Sequence, residues 1–140
     1  MTVFSLLNIR SQANISTFCN DFISSKKLDF IMLTETWSSL GDYVALNEAC
    51  PPGFIHVQKP RTSGRGGGLA VIYRENLKCS PYSLGHFTSF ENLTYHFMIN
   101  GKKSALCVLI YRSPKSCSGF IQEFSDLLTV IMPWFCIDFR

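Results

Sequence analysis

The sequence predicts an α/β fold. Three observations carry this: two apolar runs of strand length, Val3 to Asn8 and Leu28 to Leu33; a helical stripe between them; and an Asn-Gly turn joining two later strand-like runs. The stripe is Ile15, Phe18, Cys19, Phe22 and Ile23, the i, i+3, i+4, i+7, i+8 spacing that keeps one helix face apolar. Ser11 or Asn14 can cap its start, and Lys26 and Lys27 suit its end through the helix dipole. Strand, helix and strand in succession form a βαβ-like unit, which brings strand ends together on one edge, where sites tend to form. The residues at those ends are Asn8 and Glu35.

Further along, Gly41 to Gly53, with Pro51-Pro52-Gly53, reads as a loop. Phe54 to Gln58 is a short strand, Lys59 to Gly68 a basic, glycine-rich turn, and Leu69 to Tyr73 another strand. Leu93 to Ile99 and Ala105 to Tyr111 flank Asn100-Gly101 as a hairpin. Phe120, Ile121, Phe124, Leu127, Leu128 and Ile131 make a second amphipathic helix, stopped near Pro133.

Composition bounds the function classes. The chain has 140 residues, 46% hydrophobic and 16% charged, so it is too apolar for a disordered chain. Its low charge and twelve Phe suggest strands buried on both faces and some apolar surface expecting a further layer. A formal charge of +3 permits contact with a polyanion without demanding it. The six cysteines show no zinc spacing and several sit in apolar runs, so a reduced, intracellular protein is expected, in nucleus or cytoplasm. No stretch approaches the roughly 18 continuous apolar residues of a membrane span, and no membrane partner is expected. His56, His86 and His96 have no Ser, Cys or carboxylate partner at a readable spacing, which argues against a hydrolytic triad.

Five strings occur in order: Leu7-Asn8-Ile9-Arg10-Ser11, Leu33-Thr34-Glu35-Thr36-Trp37, Gly64 to Ala70, Ser89-Phe90-Glu91-Asn92-Leu93, and Ile110-Tyr111-Arg112-Ser113-Pro114. Together they resemble the endonuclease/exonuclease/phosphatase (DNase I-like) superfamily, and within it the endonuclease domain of LINE-type non-LTR retrotransposons. The resemblance implies a four-layer α/β sandwich, two facing β-sheets flanked by helices, here incomplete. Residues 1–132 match the N-terminal part of the domain, and residues 133–140 form a divergent or truncated tail.

The resemblance also implies a chemistry. Phosphodiester hydrolysis needs a cation to neutralise charge building on the phosphate and a group that activates water. Glu35 matches the family's metal-binding glutamate, with Mg²⁺ as the cofactor and DNA as the partner. Asn8 matches the asparagine that helps orient phosphate and metal, and Tyr111 a tyrosine that hydrogen-bonds the scissile phosphate. Arg61, Arg65 and Arg112 are candidate phosphate contacts, and the glycines near them let main-chain amides come close. The same residues have plainer uses, since a glycine-rich segment is often only a turn and basic residues often only a solvated face.

Complete relatives continue into a Gly-Asp-Phe-Asn strand and a Ser-Asp-His end that supplies the base. Ile137-Asp138-Phe139-Arg140 matches the first of these in part, with Ile for Gly and Arg for Asn, so Asp138 is its candidate equivalent. The expectation is therefore a monomeric, magnesium-dependent DNA-nicking domain cut short before its site is complete. The alternative is a non-catalytic remnant that binds nucleic acid or protein.

Overall fold

The computed structural model describes residues 2–11, 16–62, 64, 66–99, 101, 103–115 and 118–135. The expectations placed on Asn14, Ile15, Arg65, Asn100 and Asp138 lie outside them. In chain order the elements are β1 (Phe4–Asn8), α1 (Ser16–Ser25), β2 (Phe30–Thr34), α2 (Val44–Ala49), β3 (Phe54–Lys59), β4 (Leu69–Arg74), β5 (Lys78–Pro81), β6 (Glu91–Ile99), β7 (Lys103–Tyr111) and α3 (Phe120–Ile131), continued by a 3₁₀ turn at Met132–Phe135.

Sheet A has the order β1-β2-β4-β3 and sheet B the order β5-β6-β7. Only β1 and β2 run parallel, joined through α1 as a βαβ unit; the other described pairs are antiparallel. Alternation of side chains along the strands then builds three apolar interfaces. Ile31, Leu33, Ala70 and Ile72 face Cys19, Ile23 and Leu46 of α1 and α2. Phe30, Leu69, Val71 and Tyr73 face Leu109 and Cys107 of sheet B. Leu106, Val108 and Ile110, the alternate residues of β7, face Leu127 and Ile131 of α3. The result is four layers: α1 and α2, sheet A, sheet B, α3. Between the two sheets Phe30 of sheet A stacks on Phe97 of sheet B at 5.4 Å, and under α3 Phe87, Phe90, Phe120 and Phe124 join a second aromatic cluster.

Local chemistry explains where α1 stops. Lys27 adopts φ +51°, Leu28 N–H donates to Ile23 O at 3.0 Å, and Lys27 N–H donates to Ser24 O at 3.3 Å. This is a Schellman closure, completed by burial of both Leu28 and Ile23 in the same core.

Two elements depart from the sequence expectation. The Gly41 to Gly53 segment is not wholly loop but contains α2. That helix buries only Leu46 and Ala49, and Ser16 and Asn20 of α1 bond Glu48 at 3.1 Å each. β5 was not expected at all; Lys-Cys-Ser-Pro has little strand character and pairs only with β6, at the edge of sheet B.

Candidate functional site

Strand register places the site. Across sheet A, Asn8 pairs with Thr34, Thr34 with Leu69, and Leu69 with Lys59, so these four residues form one row at one end of the sheet. In sheet B, Glu91 opens β6 and pairs with Tyr111, which closes β7. Glu35 follows the sheet A row directly. Strict alternation would send it to the helix-facing side with Ile31 and Leu33.

It does not go there. Glu35 has φ +56° and Trp37 φ +55°, left-handed values rare outside glycine. The reversal swings the Glu35 carboxylate toward sheet B, where Oε1 accepts a short hydrogen bond from the Tyr111 hydroxyl. Each left-handed residue costs about 1–2 kcal/mol, and the surrounding backbone bonds hold it. Ser11 N–H donates to Glu35 O at 2.8 Å, Thr36 N–H to Gly68 O at 3.2 Å, and Trp37 N–H to Gly67 O at 3.0 Å. Thr36 and Ser38 are fully buried, with their hydroxyls 3.0 Å apart.

The glycine-rich segment serves this arrangement. Gly68 N–H donates to Glu91 Oε2 at 2.7 Å, so that amide is already taken. A Cβ on Gly67 would lie 2.2 Å from Glu91 Oε1, and one on Gly68 2.5 Å from Thr36 Oγ1. At Gly68 glycine is required by close packing as well as by positive φ; at Gly67 positive φ favours it, and a side chain would displace the Glu91 carboxylate. A Cβ on Gly66 would lie 3.9 Å from the Tyr111 hydroxyl and 4.0 Å from the indole nitrogen of Trp37, which puts this turn beside the Tyr111–Glu35 pair.

Burial, the hydrogen bond to Glu35, and the charges of Glu35 and Glu91 push the Tyr111 phenol up to about 12, with Arg10 opposing. Tyr111 therefore stays a proton donor at any working pH. The site brings together one half-buried carboxylate whose second oxygen has no hydrogen-bond partner among the described residues, a neutral phenol, and an exposed Asn8 on the adjoining strand end. Among the described residues, no group of three His, Cys, Asp or Glu side chains could hold a metal ion.

The other candidates are distributed as follows. Arg61 is half-buried beside Gly68, its backbone nitrogen 3.6 Å from where a Cβ would stand. Arg112 follows Tyr111 and lays its guanidinium over the Phe120 ring at 4.4 Å from the centroid. Arg65 and Asp138 lie outside the described residues.

Three further contributors stand outside the candidates read from the sequence. Glu91 orders the glycine turn. Lys59 sits in the site row and donates to Asn92 O at 2.9 Å. Glu123, in the first turn of α3, accepts from both the backbone and hydroxyl of Thr88 and of Ser89 at 2.7–3.1 Å. Their partners are distant in sequence, so only the Ser89-Phe90-Glu91 string gave any signal.

No protein-family model and no curated protein sequence matches the chain. Solved structures match it in fold. The endonuclease domain of TRAS1, a telomere-specific non-LTR retrotransposon, superposes with a TM-score of 0.63 at 9% identity, covering 90% of this chain and 51% of that one. The AP endonuclease LMAP from Leishmania major gives 0.55 at 14% identity, covering 93% and 45%. A humanized TDP2 of D. rerio carrying 14 mutations gives 0.54 at 12%, covering 91% and 56%. The fold is thus DNase I-like, and the chain spans about half the length of these structures.

Proposed function

We propose that this chain is the N-terminal part of a magnesium-dependent, DNA-nicking endonuclease domain of a LINE-type non-LTR retrotransposon. The observation that carries the reading is the Glu35–Tyr111 pair, built from two sheets at one end of a fold shared with a retrotransposon endonuclease domain and an AP endonuclease. Arg65 remains a candidate on its basic, glycine-rich turn, and Asp138 on the resemblance.

The residues present fit magnesium, which favours one or two carboxylates and keeps several waters. Glu35 would hold it through the oxygen not given to Tyr111, with the Asn8 amide on the adjoining strand orienting the phosphate. Its chemistry when bound is to neutralise charge building on the phosphate. Tyr111, a neutral phenol, donates a hydrogen bond to the scissile phosphate when substrate displaces the carboxylate contact. None of these groups is placed to activate water, and a missing general base costs about 10²–10⁴-fold in rate.

Two readouts test this. Titrating Mg²⁺ into ¹⁵N-labelled protein should shift the Glu35 and Trp37 amide signals in the wild type and leave them in place in Glu35→Ala. Slow nicking of supercoiled plasmid in Mg²⁺ should fall to background in the same variant. Nicking that persists without Glu35, or Mg²⁺ that leaves the Glu35 neighbourhood unmoved, overturns the reading. DNA binding retained without any Mg²⁺ response would identify the non-catalytic binding module instead.

A further inference from the structure

Beside Tyr111 opens a cleft of about 550 Å³, lined among others by Lys59, Thr62, His86, Thr88 and Ser113. Such a volume is within the range of small-ligand sites. We propose that this cleft seats the phosphodiester backbone of a DNA strand flanking the reacting phosphate, and that Glu123 is the positioning residue that fixes its wall. The proposal rests on the nuclease reading only for the identity of the ligand.

The wall is the segment 82–90, which has no strand or helix of its own. Two devices fasten it. Phe87 stacks on Phe90 at 4.7 Å, Phe90 meets Phe120 edge-on at 5.8 Å, and Phe120 stacks on Phe124 at 5.5 Å. This aromatic ladder ties the segment to α3 without fixing where its polar atoms point. The second device does fix them. Glu123 Oε1 and Oε2 accept the Thr88 and Ser89 amides and both hydroxyls, between 2.7 and 3.1 Å. Four donors converge on one side chain from α3, and a carboxylate, with acceptors only, is the group that satisfies them. Those bonds lie one turn of chain from Glu91, which in turn pairs across the strands with Tyr111.

The cleft's chemistry suits a phosphodiester. Lys59 spends one ammonium proton on Asn92 O and keeps two. The hydroxyls of Thr62 and Ser113 and the imidazole of His86 add donors. The one acid on the lining, Glu91, directs Oε2 to the Gly68 amide, and a methyl group at Gly67 would touch its other oxygen. The Gly68 amide thus partly offsets the Glu91 charge that an incoming phosphate would meet.

The experiment uses the 140-residue chain and a fluorescein-labelled DNA duplex in EDTA, so that binding is read without cleavage. Glu123→Gln replaces an acceptor with an amide donor facing N–H groups, while the aromatic ladder keeps the fold. Amide exchange at Thr88 and Ser89 should quicken about tenfold, with β2 and β4 still protected. DNA affinity should fall about tenfold, and Glu123→Asp should restore part of it. Lys59→Ala should weaken binding and lower the salt slope by about one. Faster exchange with unchanged affinity overturns the cleft as the binding surface; unchanged exchange overturns the clamp. A chain that binds DNA in this pattern yet shows no Glu35-dependent Mg²⁺ response refutes the nuclease reading and leaves this one standing. Absence of any DNA binding refutes the cleft directly.

Discussion

A methyl group at Gly68 would stand 2.5 Å from Thr36 Oγ1 and 3.4 Å from the Trp37 backbone nitrogen, at a φ of +86°. Thr36 is fully buried, and its hydroxyl meets that of Ser38, so it has nowhere to retreat. Gly68→Ala is therefore expected to destabilise the fold by about 1–3 kcal/mol, from the strained backbone and the clash together. Denaturant unfolding monitored by tryptophan fluorescence measures it, and a change under 0.5 kcal/mol, the ordinary surface range, would remove the close-packing account of the glycine turn. At this scale the sequence was informative wherever chemistry sits at a strand end. Asn8, Glu35 and Tyr111 stand out because each is a polar or phenolic residue closing an apolar run. Glu91 and Glu123 do not, because their partners Gly68 and Thr88 are 23 and 35 residues away and no local pattern encodes them. The direction of Glu35 was equally illegible: alternation points it to the wrong face, and only the left-handed backbone corrects it.

At the level of elements, α3 and the segment 82–90 are joined by a charge. The hydroxyls and amides of Ser89 and Thr88 hold the Glu123 carboxyl down to about 2, below its ordinary 4.5. The depressed value means the folded state prefers the ionised form. That contribution is present in full above 4.5 and is lost as pH falls toward 2. The difference in melting temperature between wild type and Glu123→Gln should therefore shrink through that window, and the Thr88 and Ser89 amide shifts should titrate near its lower end. A difference that stays constant from pH 6 to pH 2 would mean that the charge on Glu123 does nothing for the fold. The same element shows why sequence reading succeeded for some pieces and failed for others. α3 runs twelve residues and repeats its apolar face three times over, whereas α2 has six residues and buries two. β5 owes its existence to β6, whose edge it completes with Cys79 toward the core and Pro81 at its end. Short elements stabilised by a neighbour carry no period for a sequence to display.

Viewed whole, the sandwich has two strands, β1 and β7, that end their sheets side by side among the described residues. Between them lies an apolar groove of about 600 Å³ lined by Phe4, Phe30, Met32, Phe97, Leu106 and Cys107. Phe4 is 70% exposed and Leu6 57%, on the face of β1 that alternates with the buried core side. Low charge and many Phe had suggested apolar surface awaiting a further layer, and here that surface has a location. Unpaired strand edges with apolar neighbours pair readily with other chains. The 140-residue chain should accordingly bind an apolar dye and self-associate with rising concentration, as light scattering coupled to gel filtration would report. Leu6→Lys places a charge on the β1 edge without touching the core, and should move the onset of association to higher concentration while changing the unfolding free energy by less than about 1 kcal/mol. Association that ignores Leu6→Lys would assign it to another surface than the β1 edge. A chain that stays monomeric at every concentration would agree with the monomer expected from the sequence and would overturn the groove and the β1 edge as an association surface.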